Sequence, residues 1–236
     1  MAHQFQFYAD PESVQDDEIR FDRRESHHIG DVLRAAAGSA IEATDGLGWL
    51  YQVKLTASEK GRWAGRILDK RQAEAEAPLP ISLALPCLKG DRWETALEAA
   101  CEMGLRAVWL VNYAQAALKW SKARQERAER KAIEALKQSR GSRLTLIQGP
   151  CGLEELMRQS KAEEIWAADA SGQLLPNLRA PILMIIGPEA GLGEAEKELL
   201  QAKRARFFSL GARRLRTEVA AAAAMAQAAL RLATIG

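Results

Sequence analysis

The sequence predicts an α/β fold, in which a mainly parallel sheet with helices on both faces follows a small β-barrel-like domain. Two observations carry this prediction. After about residue 80, short apolar runs alternate with helical patterns, which favours a parallel sheet covered on both faces. Before residue 72, several short strand-like runs accompany only one short helical pattern, which favours a compact β-domain.

The N-terminal part is predicted to hold one helix and a set of short strands. Ser26 is a candidate N-cap for a helix whose apolar residues recur at helical spacing and which ends at Gly38. The pair Asp45 and Gly46 is a strong hairpin signal between two strands. The strand-like runs cover residues 39–44, 49–55 and 62–68.

A linker is predicted at residues 72–80, because this acidic, alanine-rich stretch contains two prolines, which disfavour both helix and central strand. The predicted domains are therefore residues 1–72 and residues 73–236. Apolar runs of the second domain lie at 81–85, 107–111, 144–147, 165–168, 182–186 and 207–210. A last helix at 217–234 is very rich in alanine, which permits close packing against the sheet or a second subunit.

Composition excludes several classes of protein. Of the 236 residues, 47% are apolar and 27% are charged, so the chain can bury a core. The net charge of +2 means that a nucleic-acid surface must come from local clusters of charge. Cys87, Cys101 and Cys151 are far apart, which argues against a metal site and a disulfide framework and suits reduced thiols in a cytoplasmic protein. No apolar run is long enough for a membrane span.

Two loops near the C-terminus hold the candidate chemistry. Residues 182–193 read as a buried strand, a Gly/Pro turn and a helix start, and glycines there permit close approach of the backbone to a ligand. On this segment alone, an ordinary tight strand-to-helix turn is the favoured interpretation. In the second loop Arg213, Arg214 and Arg216 precede Thr217, a candidate N-cap. Guanidinium groups bind phosphates well, although a solvated loop is the alternative.

Together the segments IGPEAGLG (186–193) and SLGARRLRTE (209–218) resemble the RsmE family, the 16S ribosomal RNA (uracil-N3)-methyltransferases of the SPOUT class. The family's usual glycine and threonine are replaced by Ala190 and Val219, and Ala99 and Leu144 stand at two other positions where the family usually has lysine and proline. Further similar segments are HIGDVLR (28–34), LKGDRWE (88–94), EMG (102–104) and EALKQSR (134–140), so the resemblance spans nearly the whole chain.

The resemblance implies a trefoil-knotted sheet in the C-terminal domain, a PUA-like RNA-binding N-terminal domain, and S-adenosyl-L-methionine as cofactor, with no metal. It implies methylation of a uridine N3 in the 16S rRNA of the small ribosomal subunit, by a cytoplasmic homodimer. The implied cofactor residues are Ile186, Gly187, Pro188, Glu189, Gly191, Leu210, Gly211, Leu215 and Arg216.

Arg216, Glu218 and Glu189 are the candidate catalytic residues, because their side chains have the required chemical types. A cation favours the deprotonated form of the uracil imide, and a carboxylate can accept the imide proton. For Glu218, a favourable position at a helix N-terminus is an equal alternative. Candidate RNA-binding residues are Arg23, Arg24, His28, Arg34, Lys89, Arg140, Arg213 and Arg214.

The sequence also bears on other classes of function. A nucleotide-dependent oxidoreductase would need GxGxxG after the first α/β strand, and this motif is absent there, as is a P-loop. A methyltransferase for another RNA, or a non-catalytic RNA-binding or ribosome-assembly factor on the same scaffold, remains compatible with the sequence.

Overall fold

The computed structural model describes residues 5–73, 79–87, 90–114 and 120–233. The chain divides into two compact units. The first unit comprises residues 1–77 and 133–144, and the second comprises residues 78–132 and 145–236. The segment 133–144 thus packs with the N-terminal residues, although in the sequence it lies within the α/β part.

The first unit is built on a six-stranded sheet with the order β1-β4-β5-β6-β3-β2. Its strands are β1 Gln6–Tyr8, β2 Val14–Gln15, β3 Glu18–Arg20, β4 Ala40–Thr44, β5 Trp49–Glu59 and β6 Arg62–Gln72. Neighbouring strands are antiparallel except β1 and β4, which are parallel. The predicted strands at 39–44, 49–55 and 62–68 are confirmed, whereas β1, β2 and β3 were not predicted.

The helix of the first unit begins earlier than predicted. Helix α1 covers Arg23–His27 and continues into a π-helical turn at His28–Val32. Its N-cap is Asp22, whose carboxylate accepts the Glu25 N–H at 2.7 Å. The prediction of Ser26 as the cap is wrong, because Ser26 lies buried inside the helix, where its hydroxyl accepts a backbone N–H from β6 at 2.8 Å. The chain leaves the helical path well before Gly38.

The predicted hairpin between β4 and β5 is confirmed. The Asp45 carboxylate holds the turn by accepting the N–H of Leu47 at 2.8 Å, the N–H of Trp49 at 3.2 Å and the Tyr51 hydroxyl at 2.9 Å. Burial and then the hydrogen bond to Asp45 raise the pKa of Tyr51. Asp45 therefore acts as a local brace, since one side chain satisfies three donors.

The second unit contains a six-stranded, wholly parallel sheet with the order β12-β10-β11-β7-β8-β9. Its strands are β7 Leu79–Pro86, β8 Leu105–Asn112, β9 Leu146–Gly152, β10 Glu164–Gln173, β11 Ile182–Ile185 and β12 Arg206–Phe208. All six predicted strands of this domain are present, and the predicted parallel α/β sheet is confirmed. The chain crosses the sheet after β9, and β11 inserts between β7 and β10.

Helices lie on both faces of this sheet. They are α2 Arg92–Glu102, α3 Lys122–Gln138, α4 Leu153–Gln159, α5 Glu194–Ala202 and α6 Thr217–Ala233. Helices α4 and α5 share a core with Ala84, Leu183 and Ile185. Leu83 and Leu85 alternate with Ala84 and so point to the opposite face, where α6 contacts β7 and α2. The last residues of α3 belong to the first unit.

Of the predicted linker 72–80, Gln72 ends β6 and Leu79 begins β7, while residues 74–78 lie outside the described part of the chain. Helix α4 was not predicted. The trefoil knot concerns how loops thread between the strands, and it stays a prediction. Across the described ranges, no helix combines the length and apolar character that a membrane span requires.

Candidate functional site

A cavity of about 350 Å³ lies in the second unit, beside the loops that follow β11 and β12. Ligands of parallel α/β sheets bind at this carboxyl edge, where the loops after neighbouring strands converge. The cavity is lined by Ala168, Asp169, Ala170, Ile186, Gly187, Pro188, Glu189, Ala190, Gly191, Leu210, Gly211, Arg213, Arg214, Leu215, Thr217 and Ala220. The structure thus brings together every residue predicted to contact the cofactor except Arg216.

Glycine is favoured at two points of the loop after β11. Gly191 has a φ of +84°, a conformation that side chains rarely adopt. At Gly187 an added Cβ would lie 3.2 Å from the side chain of Leu192, which is itself buried in the core beside α5. The loop can therefore turn sharply while its backbone stays open to the cavity.

Asp169 is a cavity residue that the sequence reasoning missed. Pairing of β10 with β12 shifts register between Ala168 and Gln173, and Asp169 lies within that irregularity. Its carboxylate lies 2.9 Å from the Lys197 ammonium. Burial raises the pKa of Asp169, but hydrogen bonds from Ser171 and the Lys197 charge outweigh it, so the pKa lies below its ordinary value. The sequence feature that could have revealed Asp169 is its position directly after the apolar run of β10.

A second cavity of about 430 Å³ is lined by Arg92, Glu189, Arg214, Leu215 and Arg216. Glu189, Arg214 and Leu215 line both cavities, so the two spaces adjoin there. Arg92 forms an ion pair with the Glu189 carboxylate, and the Arg214 guanidinium donates to the Glu189 carbonyl oxygen. Arg216 therefore belongs to the arginine-rich space next to the first cavity. Arg92 was not singled out as a site residue, although it lies in the segment 88–94.

The first turn of α6 closes one side of the first cavity. Thr217 is buried, and within the described chain its hydroxyl oxygen has no hydrogen-bond partner. The prediction of Thr217 as an N-cap is therefore wrong: the residue is already helical, and its hydroxyl does not accept a backbone N–H. Glu218 lines neither cavity, and its buried Oε2 likewise has no partner among the described residues.

Several predicted RNA-binding residues of the first unit are exposed. Arg23 and Arg34 have no ion-pair partner within the described ranges, and Arg24 pairs with Glu134. His28 packs edge-on against two phenylalanine rings at 5.5 and 5.7 Å. Burial and then the nearby Lys137 charge lower the pKa of His28, so its ring is neutral at neutral pH. Lys89 lies outside the described residues.

The remaining predicted RNA-binding residues are divided between the two units. Arg140 lies in the first unit, where its guanidinium is 2.6 Å from the Glu42 carboxylate. Arg213 and Arg214 line the first cavity of the second unit, and both are exposed. Each unit therefore carries predicted RNA-binding arginines beside a pocket of its own.

Comparison with known proteins identifies both units. A family model described as an RNA methyltransferase domain matches residues 75–229, and one described as an RNA methyltransferase PUA domain matches residues 21–68. Ribosomal RNA small subunit methyltransferase E of Synechocystis sp. is 28% identical over 227 residues, which are 92% of this chain and 74% of that protein. The protein of the same name from Bacillus subtilis is 28% identical, with 83% of each chain covered.

Among solved structures, the ribosomal RNA small subunit methyltransferase E from Neisseria gonorrhoeae, bound to S-adenosyl methionine, is 26% identical. It superposes with a TM-score of 0.84 and covers 95% of this chain and 96% of its own. Fold and cavity thus define an α/β protein with a cavity at the carboxyl edge of a parallel sheet. The chain belongs to the RNA methyltransferase family that matches residues 75–229. The resemblance to the RsmE family is confirmed.

Proposed function

We propose that this protein transfers a methyl group from S-adenosyl-L-methionine to N3 of one uridine in the 16S rRNA of the small ribosomal subunit. The observation that carries the proposal is the cavity at the carboxyl edge of β11 and β12, whose loops hold the motifs that resemble the RsmE family. The similar proteins named above act, by their names, on small-subunit ribosomal RNA.

The residues of the first cavity fit the proposed cofactor. Ile186, Pro188 and Leu210 supply apolar walls, and the glycine-rich backbone between them can approach a ligand closely. The buried Thr217 hydroxyl, which has no partner in the described chain, can donate to or accept from a polar group of the cofactor. When bound, the cofactor supplies an electrophilic methyl group on a sulfonium centre. The ionised Asp169 carboxylate suits its positive charge.

The second cavity is the proposed place for the target base. Uracil N3 carries a proton and is a poor nucleophile until that proton leaves. We assign the proton to the Glu189 carboxylate, because Glu189 lines both cavities and thus stands between methyl donor and base. The Arg216 guanidinium stabilises the negative charge that develops on the imide oxygens. The ion pair with Arg92 holds the Glu189 carboxylate in place.

Glu218 is the weaker candidate for proton acceptance. It lies in the first turn of α6, where a carboxylate interacts favourably with the helix dipole. It lines neither cavity, although its buried Oε2 has no hydrogen-bond partner in the described chain. We therefore assign Glu218 a role in stabilising the start of α6, which keeps Thr217 at the cavity wall.

RNA docking and assembly complete the proposal. The PUA-like domain at residues 1–72 binds rRNA through Arg23, Arg24 and Arg34, while the α/β domain at 73–236 holds the catalytic cavity. Arg213 and Arg214 contact phosphates near the target base.

The protein acts in the cytoplasm as a homodimer. For that interface we propose the exposed side of α6, where Val219 and Leu230 are 48% and 67% exposed.

The decisive experiment is transfer of labelled methyl from S-adenosyl-L-methionine to 30S subunits that lack N3-methyluridine, with the product mapped by mass spectrometry. We expect label at one uridine of 16S rRNA, as N3-methyluridine. Thermal melting with and without the cofactor tests binding separately, since a ligand stabilises the folded state by mass action. A melting shift without label would point to another RNA substrate. No shift at saturating cofactor would favour a non-catalytic RNA-binding protein.

A further inference from the structure

The first unit has a polar pocket of about 230 Å³. Strand register builds its floor, because Gln6, Glu42, Gln52 and Asp69 are direct partners across the four neighbouring strands β1, β4, β5 and β6. Side chains alternate between the faces of a sheet, so this row lies opposite the apolar core of the unit, to which Phe7 contributes. A row of amides and carboxylates on one face has no role in that core.

Most of this row is held in fixed positions. The Gln52 amide donates to Glu42 at 3.0 Å, and the Gln6 amide donates to the Gly141 carbonyl at 2.6 Å. The Arg140 guanidinium, which also lines the pocket, donates to Glu42 at 2.6 Å. Three members of the row are thereby preorganised, which reduces the conformational entropy that these side chains lose when a ligand binds.

The fourth member of the row is open to a ligand. Asp69 is exposed and, within the described ranges, makes no ion pair or side-chain hydrogen bond. Arg71 lies two residues further along β6 on the same face, and it too is exposed and unpaired there. The pocket therefore presents one free carboxylate and one free guanidinium beside a fixed polar floor.

We propose that this pocket binds an unpaired guanine of the RNA substrate, an inference that rests on the proposed function in taking the ligand to be RNA. The N1–H and N2–H donors of guanine lie side by side and match the two oxygens of the Asp69 carboxylate. Arg71 can donate to the acceptors O6 and N7 of the same base. Unpaired bases are the usual targets of sequence-specific RNA recognition.

The same chemistry disfavours two alternatives. A phosphate alone gains little from this pocket, because the guanidinium groups of Arg71 and Arg140 are matched there by the carboxylates of Asp69 and Glu42. Uracil presents one N–H between two carbonyl oxygens, and these oxygens would face the carboxylate. The base bound here is therefore different from the base that is methylated.

The test is binding of fluorescein-labelled RNA hexamers to the full-length protein, measured by fluorescence anisotropy. The probes are UUGUUU, the same hexamer with inosine in place of guanosine, and U6. Inosine lacks only the N2 amino group. We expect the guanosine hexamer to bind about tenfold more tightly than either other probe, a ratio within the range by which bidentate contacts discriminate between bases.

Asp69→Asn should abolish that preference, because the amide replaces one acceptor oxygen with an NH2 donor, which cannot pair with the second N–H of the base. Asp69 has no partner within the described chain, so the variant should fold normally. Asp17→Asn is the matched control, because Asp17 is an exposed carboxylate of the same unit that lines a different depression. This control should retain the preference of the native protein.

Equal affinity for the three hexamers, or an unchanged preference in Asp69→Asn, would overturn the proposal. The methyl-transfer assay on 30S subunits is run in parallel. A guanosine preference that depends on Asp69, without methyl transfer, would support the pocket and contradict the proposed function. Methyl transfer without any guanosine preference would support the proposed function and contradict the guanine pocket.

Discussion

The two polar sites of this molecule are built from different parts of a β-sheet. In the second unit, the cavity is lined mainly by loops that follow β11 and β12, together with the irregular stretch of β10. In the first unit, the pocket is floored by residues inside four strands and lies on the face of the sheet. One site is thus made by strand ends and the other by strand register.

This difference decides which site a sequence can reveal. Loops at strand ends are contiguous stretches, so their glycines and arginines form a recognisable motif. A row across four strands takes one residue from each, and Gln6 and Asp69 are far apart in the chain. The two aspartates show the same contrast, because Asp169 forms an ion pair with Lys197 whereas Asp69 has no ion pair or side-chain hydrogen bond in the described chain.

The largest expected effect is on the rate of methyl transfer at the cavity of the second unit, which is lined mainly by loops. Glu189→Gln should lower kcat for methyl transfer to 30S subunits about a hundredfold or more, because the amide cannot accept the N3 proton. The KM for the subunits should change little, since the lost contact acts mainly in the transition state. Steady-state kinetics with labelled cofactor measures both constants.

The matched control is Glu218→Gln, which removes a carboxylate that lines neither cavity. It should leave kcat near the native value and cost about 0.5 kcal/mol of stability through the helix dipole. The reverse ranking, with Glu218→Gln the inactive variant, would move proton acceptance to the start of α6.

A second prediction concerns the strand framework under the cavity. Gly172 lies in β10 where a Cβ would come within 2.5 Å of the Phe208 backbone, and a backbone atom cannot move aside easily. Gly172→Ala should therefore lower the free energy of unfolding by about 3 kcal/mol, as for an overpacked core. Urea denaturation followed by circular dichroism measures this loss.

Gly152→Ala provides the control for that measurement. No atom lies within 4 Å of a Cβ built at Gly152, and its φ is −76°. The cost should be about 1 kcal/mol or less, mainly from the N-cap preference at α4. Equal losses in the two variants would mean that the approach of β10 to β12 is looser than the backbone distances indicate.

The smallest expected effect separates the two aspartates. Asp169→Asn should cost about 1.5 kcal/mol at neutral pH, because it removes a charged hydrogen-bonded pair with Lys197. The folded-state pKa of Asp169 is lowered, so this stability is present above the ordinary pKa of 3.8 and is lost as the pH falls through the lower folded value. The difference in unfolding free energy between the native protein and Asp169→Asn should therefore narrow only below about pH 4.

Asp69→Asn is the natural partner of that measurement. Since Asp69 has no ion pair in the described chain, its replacement should leave the unfolding free energy within about 0.5 kcal/mol of the native value. Chemical denaturation of both variants at neutral pH gives the comparison. A loss in Asp69→Asn as large as that in Asp169→Asn would show that the Asp69 carboxylate is already engaged within the fold.

Much of the fold was predictable because its signals are local. The six apolar runs of the second unit correspond to β7–β12, and the hairpin at Asp45 and Gly46 is present. Predictions failed where two local signals competed. Ser26 and Asp22 are both capping residues, and only the packing of Ser26 against β6 decides between them. Strands β1, β2 and β3 are too short to leave a periodic pattern.

The sequence by itself determined the α/β class, the family, and the two loops that carry glycines and arginines at strand ends. Hydrophobic periodicity and turn chemistry act over a few residues, so a linear string records them. Only the tertiary structure decided that Arg216 lines an adjoining cavity, that Asp169 meets Lys197, and that segment 133–144 packs with the N-terminal strands. Register and long-range packing create these contacts, and they depend on residues that are distant in the chain.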